Sequence, residues 1–552
     1  MARTTTATDF SWSFWLLLGL FALVWFGSLD YRHLVKPDEG RYAEIAREMA
    51  ISGDWVTPRL NGIKYFEKPP FQYWMTAIAY QTFGLNEWTA RLWTALSGFL
   101  GILVVWFAGT RLFGRRAGQL GALFLATNLY YVALGHINTL DMGLTFFLTL
   151  SIAGFLLAQR ESLQSQNERI WMLVAWGAAA GAVLSKGLIG IVIPSASLGI
   201  YSLLNRDFTP WRRLHFLPGV LIFLCLAAPW FIAVTLRNPE FPNFFFIHEH
   251  FQRFTSTIHR RAEPPWYFLP ILIIGLVPWI PLAFAGIVNA WSTPRQKSEF
   301  SPQRFLLSWC AFVLIFFSIS GSKLPAYLLP LFPVLALLLG PFLSNVQRPA
   351  LFVAAALAIA ISFAGLIALP FALDARRESA VFALYRDYAR WINVAAGILG
   401  LAGLFTLAKI QQSQMLSALI ALGTGGFLAT MCILLGHESM APSNSSAYLA
   451  EQIKPMLRAD IPIYSVKTYD QTLPFYLNRT MTLVAYQDEF EFGQQQQPEK
   501  SIPTLAEFEA IWRSGAAALA VLEPGQYAAY IASGLPMRLI TQDTRRVIIA
   551  TP

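Results

Sequence analysis

ALFVAAALAIAISFAGLIALPFAL, from Ala350 to Leu373, contains no charged side chain. As a helix rising 1.5 Å per residue it is about 36 Å long, enough to cross the roughly 30 Å hydrocarbon core of a bilayer. Runs of the same character lie at 14–29, 89–112, 117–134, 139–158, 170–184, 187–204, 214–236, 266–290, 303–320, 325–343, 386–408 and 415–435. With the first they make about thirteen candidate spans. The whole chain agrees: of 552 residues, 55% are hydrophobic and only 13% charged, and the mean hydropathy is +0.47. A soluble enzyme with one large core is excluded.

Sidedness follows from the loops. The run at 14–29 lacks a small-residue cleavage pattern and reads as an uncleaved span. With a cytoplasmic N-terminus, the inner loops hold Arg115, Arg116, Arg160, Arg169, Arg206, Arg212, Arg213, Arg295, Lys297, Arg348 and Lys409, as the positive-inside rule requires. The net charge of +9, from 41 Lys and Arg against 32 Asp and Glu, then reflects these loops and contacts with anionic membrane lipids, not nucleic acid. Cys225, Cys310 and Cys432 each fall inside an apolar run, so neither a disulfide nor a cysteine zinc site is indicated. An odd span count puts the C-terminus outside the cytoplasm. There the composition turns mixed, with short β-like runs at Ile461 to Val466, Met481 to Val484, Ala517 to Leu522 and Arg545 to Ala550, and a helical stretch from Leu505 to Trp512. This is a small α/β domain, 437–552, following a transmembrane domain, 1–436. The tract Gln494 to Gln497 before Pro498 reads as a mobile loop.

The unusual polar residues gather in two outer loops, 30–88 and 237–265, and beside helix ends. In the first loop, Tyr42, Ile45, Ala46 and Met49 have the spacing of an amphipathic surface helix. Asp38, after Pro37, is placed either as its N-cap or as a catalytic carboxylate. Glu67 and Lys68 precede Pro69 and Pro70, which hold the backbone extended, so the two side chains point apart. Lys68 can meet a phosphate, and Glu67 a metal ion or a sugar amine or hydroxyl; a solvated turn is the plain alternative. A second surface helix follows from Phe71 to Phe83. Asp141 opens the fourth span near the outer boundary, and an ionisable residue at that depth is a functional candidate, with capping as the alternative.

In the second loop, His248-Glu249-His250 lacks the zinc-protease spacing; one histidine can join Glu67 on a divalent ion. Arg253 suits phosphate through its planar fork. Lys186 and Lys323 stand in tight outer turns between apolar spans, where they call for an anion or must snorkel. No phosphate-binding glycine loop, dinucleotide fingerprint or nucleophile elbow is present, so no nucleotide cofactor is indicated. An outward-facing site without one suits a substrate already activated in the membrane, such as a sugar on a polyprenyl phosphate.

Pro37-Asp38-Glu39-x-Arg41-Tyr42, Gly53-Asp54-Trp55-Val56-Thr57-Pro58, Tyr65-Phe66-Glu67-Lys68-Pro69-Pro70 and Glu249-His250-Phe251-x-Arg253-Phe254 resemble the lipid A aminoarabinose transferases. These are bacterial inner-membrane glycosyltransferases of the GT-C superfamily. The resemblance implies an α-helical polytopic membrane protein with the GT-C glycosyltransferase fold, about thirteen transmembrane helices and a C-terminal periplasmic α/β domain. It implies transfer of 4-amino-4-deoxy-L-arabinose from undecaprenyl phosphate to a lipid A phosphate, giving polymyxin resistance. The catalytic candidates are Asp38, Asp141 and Glu67. The substrate- and phosphate-binding candidates are Lys68, Arg253, Lys186, Lys323, Tyr42, Tyr65, Glu39 and Tyr327. A zinc or magnesium ion on Glu67 and His248 is expected, and the chain is expected to act as a monomer. A protein O-mannosyltransferase-like enzyme shares the donor type but needs a base to deprotonate its hydroxyl acceptor. A lipid or solute transporter would set ionisable residues near the bilayer midplane, whereas here they stop at one boundary.

Overall fold

The apolar runs fold into helices because only a helix satisfies its own backbone in a bilayer. The computed structural model describes residues 7–252, 263–294, 300–458 and 460–552. The chain forms two compact units. The first comprises Met1–Leu29, Arg91–Leu369 and Trp391–Leu434; the second comprises Asp30–Ala90, Pro370–Arg390 and Leu435–Pro552. The first outer loop therefore groups with the C-terminal domain, a division that differs from a boundary at 436.

In the first unit, helices stand at every apolar run expected there. Among the described residues, eight helices of the chain are long and apolar enough to cross a membrane, or nine with one bent pair. The bent pair, Phe268–Gly275 and Ile280–Ser292, turns by 107°. The run at 266–290 is thus not one straight span. Pro278 donates no hydrogen bond, and Val277 before it is sterically turned away from helix. The run at 117–134 is broken too, into Arg115–Thr127 and Leu129–Leu134. Asn128 between them is extended, and its side chain accepts from the amide of Tyr131 as an N-cap. Phe216–Arg237 turns Leu217, Leu224 and Leu236 outward, as a lipid-facing helix does. Arg115–Thr127 packs on Phe332–Ser344 through glycines: a Cβ on Gly121 would lie 2.6 Å from the Ala336 carbonyl oxygen, and one on Gly340 2.4 Å from that of Ala117. Such contacts bring helix backbones together where hydrophobic burial offers no net gain.

The second unit begins with the amphipathic helix Asp38–Ser52, and Tyr42, Ile45, Ala46 and Met49 are all buried. Gly53 ends it at φ 70. A hairpin of strands β1 (Arg59–Leu60) and β2 (Ile63–Lys64) follows. Asn61 and Gly62 between them have positive φ, as a tight hairpin turn demands. Asn61 also clamps the C-terminal domain, donating to the Met481 carbonyl at 2.6 Å and accepting from the Met481 amide at 2.7 Å. The helix Phe71–Phe83 comes next.

The C-terminal sheet has strands β3 (Ile463–Val466), β4 (Thr482–Val484), β5 (Ser501–Ile502), β6 (Leu519–Leu522), β7 (Arg538–Gln542) and β8 (Val547–Ala550). Their order is β5-β4-β3-β6-β8-β7. The strands from β5 to β6 are parallel, and β8 pairs antiparallel with β6 and β7. Val466, Val484, Phe508, Trp512, Leu522 and Ile549 form the core of this layer. The four expected β runs and the helix Leu505–Arg513 are present. The tract read as a mobile loop is instead the short helix Glu491–Gln496. Gln497 after it accepts from the Lys64 amide at 3.1 Å, which ties it to the hairpin.

Two predictions follow from this packing. A Cβ on Gly40 would lie 2.6 Å from the Gln471 carbonyl oxygen and 2.7 Å from Thr472 Cγ2. Gly40→Ala should therefore destabilise the second unit by about 1–3 kcal/mol, seen as a lower unfolding temperature of the purified chain; an unchanged temperature contradicts this close approach. Glu44 and Arg47 form a buried bidentate pair, and beside it burial and the Glu44 charge push the Glu48 carboxyl up to about 8. The folded chain keeps a proton there that the unfolded chain releases above the ordinary value of 4.5. Stability is therefore lost as pH rises from that value to about 8. Glu48→Gln, which retains an acceptor for the Gly62 amide now bonded at 2.8 Å, should flatten this decline and raise the unfolding temperature at pH 8, measured across a pH series.

Candidate active site

Asp38 is the first residue of its helix, not the N-cap. Pro37 holds the cap position and no side chain caps the end. The carboxylate instead accepts from Arg41 Nη1 at 2.9 Å, one turn along. Arg41 Nε in turn lies 2.5 Å from Glu489 Oε2. The three groups are graded in exposure: the side chain of Asp38 is 45% exposed, that of Arg41 12% and that of Glu489 6%. A guanidinium held from behind thus presents an accessible carboxylate. Burial raises the Glu489 carboxyl, and the charge on Arg41 opposes that shift.

Aromatic hydroxyls surround this relay. Tyr42, Tyr65 and Tyr73 are buried, and burial holds each phenol well above its ordinary value, so they remain neutral donors. The Tyr65 and Tyr73 hydroxyls have no hydrogen-bond partner among the described residues, which leaves two donors for a substrate oxygen. Glu67 and Lys68 are half-buried, and Lys68 Nζ donates to the Glu67 carbonyl at 2.7 Å. Glu39 departs from its expected substrate-binding role. It is 2% exposed, and its Oε2 accepts from the Val35 amide at 3.0 Å. Its place one residue beyond Asp38 on a helix turns it into the fold.

The first unit has its own constellation. Asp141 lies in the first turn of Leu140–Arg160 and Lys186 in the last turn of Gln166–Lys186. The two form an ion pair. Each charge also sits at the helix end that favours it. Asp141 is not the cap, since Thr139 holds that position. Lys186 Nζ stands 4.9 Å from the centre of the Tyr327 ring, a cation–π contact. Tyr130, buried and stacked on Phe332, has a hydroxyl without a partner among the described residues. Lys323 is committed elsewhere: it is 6% exposed and donates to the Glu263 and Ser320 carbonyls, both at 2.8 Å. Those carbonyls accept two of the ammonium's hydrogen bonds where an anion was expected.

His248 is stacked on Phe244, with Nδ1 3.7 Å from Glu249. Arg253 lies outside the described residues. Among the described residues no three His, Cys, Asp or Glu side chains converge as ligands of a metal ion. An apolar cavity of ≈ 150 Å³, lined by residues such as Trp176, Phe305 and Trp309, shares no residue with either constellation. Glu489, Tyr73 and Tyr130 were not anticipated. Glu489 lies hundreds of residues from Arg41, and no local pattern links them.

Residues 449–551 match the family described as the aminoarabinose transferase C-terminal domain, and residues 9–245 match dolichyl-phosphate-mannose-protein mannosyltransferase. The undecaprenyl phosphate-alpha-4-amino-4-deoxy-L-arabinose arabinosyl transferase of Erwinia tasmaniensis is 36% identical over 327 residues, which are 59% of this chain and 58% of that relative. The match therefore spans less than two thirds of that relative's length. The archaeal oligosaccharyltransferase AglB from Archaeoglobus fulgidus shares the fold, with a TM-score of 0.53 at 14% identity, over 93% of this chain and 70% of that one. The crystal structure of ArnT from Cupriavidus metallidurans bound to undecaprenyl phosphate has a TM-score of 0.92 and 40% identity, covering 99% of this chain and 98% of that one. On that match, which runs over nearly the whole of both chains, the chain belongs to the aminoarabinose transferase family, built on the GT-C membrane fold.

Proposed function

We propose that this protein transfers 4-amino-4-deoxy-L-arabinose from undecaprenyl phosphate to a phosphate of lipid A. In this reading the reaction takes place on the periplasmic face of the bacterial inner membrane, with the chain acting as a monomer, and it lowers surface negative charge to give polymyxin resistance. The observation that carries the reading is the accessible Asp38 carboxylate held by the buried Arg41 and Glu489 pair, in a chain 40% identical to a protein crystallised with undecaprenyl phosphate.

The acceptor's phosphate oxygen attacks the anomeric carbon and forms the new C–O bond. The bond from that carbon to the donor phosphate breaks, and its electron pair leaves with undecaprenyl phosphate. A phosphate monoester with a second pKa near ~6 is largely ionised at neutral pH and needs no strong base. Asp38, with one oxygen engaged by Arg41, then orients the sugar amine or acceptor, or stabilises positive charge developing at the anomeric carbon. Lys68 and Arg253 stabilise the charge gained by the leaving phosphate. Tyr65 donates a hydrogen bond without altering the charge balance. The pairing of Asp141 with Lys186 keeps a second carboxylate ready for the substrate. Glu67 and His248 would hold the expected zinc or magnesium ion, which is assigned no step. The C-terminal domain has an accessory role, shielding the site or helping to position lipid A.

Mass spectrometry of lipid A tests the assignment in a host that makes the aminoarabinose lipid but lacks its own transferase. The intact chain should add one or two aminoarabinose units. Lys68→Ala, confirmed in the membrane, should lower the rate by about 10²–10³-fold, the cost of removing one group that stabilises transition-state charge. Lipid A left unmodified by well-folded chain supplied with donor would move the search to protein or other glycan acceptors. Asp38→Asn should retain most activity and Asp38→Ala should lose it; equal, severe losses in folded protein would exclude orientation as the role of Asp38.

A further inference from the structure

The C-terminal sheet has a topological feature that the reaction as derived does not use. From β3 the chain steps outward through β4 to β5, then returns past β3 to place β6 on its other side. The carboxyl ends of β3 and β6 are therefore a topological switch point, the place where open α/β sheets form a ligand crevice. β3 runs out through Lys467 and Thr468 to Asp470, and β6 runs out at Glu523. Because β8 is antiparallel to β6, with Leu522 opposite Val547, Arg545 and Arg546 arrive at the same end. Lys36 is brought there by its own amide, which donates to the Asn444 carbonyl at 3.0 Å.

The cations at this end are unequally engaged. Arg546 is buried and fully engaged. Its Nη1 meets Asp470 at 2.7 Å and also Ser446, its Nε meets Asp543 at 2.8 Å, and its Nη2 meets the Ser445 carbonyl at 2.8 Å. One guanidinium thus holds both carboxylates. Arg545 spends Nη1 on the Ser443 carbonyl at 2.7 Å and is 3.9 Å from Asp470. Lys36 is half-buried and has no side-chain partner among the described residues. Burial, with the charge on Arg545 next, pushes its ammonium below the ordinary range. With both aspartates taken up by Arg546, Lys36 has no carboxylate at ion-pair distance among the described residues and Arg545 keeps only the long contact to Asp470, with Glu523 acting on it from further off. A phosphate-type anion complements this arrangement, taking a fork from Arg545 and a point charge from Lys36.

Lys36 is two residues from Asp38, so their Cα atoms are at most about 7 Å apart. The geometry points to a second anion site for the acceptor: Lys36 and Arg545 hold a phosphate-type group of lipid A other than the one that receives the sugar. The C-terminal domain thereby selects acceptors that carry two anionic groups. This rests on the lipid A reading given above.

The test compares bis-phosphorylated with mono-phosphorylated lipid A as acceptors for the full chain in membranes of zwitterionic lipid. The intact chain should show a lower KM for the bis-phosphorylated form. Lys36→Gln and Arg545→Gln should each raise that KM by about ten- to hundredfold, the worth of one hydrogen bond to a charged group. They should leave kcat and the donor KM within about twofold and abolish the preference between acceptors, and Lys36→Arg should restore it. An unchanged KM ratio in variants with the parent's unfolding temperature would overturn the proposal, as would a fall in kcat alone. Binding of fluorescent bis-phosphorylated lipid A, read without donor, decides the site even if no sugar is transferred: loss of binding in Lys36→Gln upholds it, and equal binding removes it. Inorganic phosphate at millimolar concentration should weaken this binding if a phosphate group alone is recognised. No effect of phosphate, with binding still dependent on Lys36, assigns the site to the lipid-borne group.

Discussion

A helix starting at Asp38 can lie against the backbone at Gln471 only because residue 40 has no side chain. That contact joins the first outer loop to the C-terminal domain, and it brings Arg41 to Glu489. The Asn61 clamp on Met481 and the bond between the Leu34 amide and the Tyr476 hydroxyl, at 2.7 Å, reinforce the same union. The orientation of Asp38 depends on it, because an exposed carboxylate on a free helix would sample many rotamers. Packed in this way, the helix holds its carboxylate against a guanidinium that is itself anchored.

The two units use carboxylates in related ways. In one, Asp38 is accessible and paired with a cation that has a second anionic partner. In the other, Asp141 and Lys186 pair at opposite ends of two neighbouring helices, each end favouring the charge it carries. Charge close to a membrane interface is costly alone and tolerable in pairs. Lys323 meets the same constraint through carbonyls instead of a carboxylate. This separates it from the groups available to substrate, although its sequence setting is the same as that of Lys186.

Periodicity made much of this structure legible. The i, i+3, i+4, i+7 pattern at Tyr42, Ile45, Ala46 and Met49 marks a helix whose buried face is the one expected. The four β runs of the C-terminal domain lie where short apolar stretches alternate with polar ones. Strands β5 and β7 escaped notice because β5 is two residues long and β7 is a largely exposed edge strand with no apolar alternation. Motif residues divided according to their partners. Asp38 is accessible and the Tyr65 hydroxyl has no partner among the described residues, whereas Glu39 and Lys323 are buried and bound to backbone groups that no linear pattern discloses.

The sequence by itself determined that the chain is a multi-pass membrane protein with a terminal α/β domain, because hydropathy and its period are local properties that a bilayer and a sheet both read directly. It also singled out the outer loop bearing Asp38, Glu67 and Lys68, because charge beside apolar spans is costly and therefore conspicuous. Only the tertiary structure decided that Arg41 is held by Glu489, that Lys186 rather than Lys323 faces a carboxylate, and that Lys36 stands with Arg545 at the sheet's switch point. Those pairings join residues far apart in the chain, and their energies depend on distance and burial, which exist only once the backbone has folded.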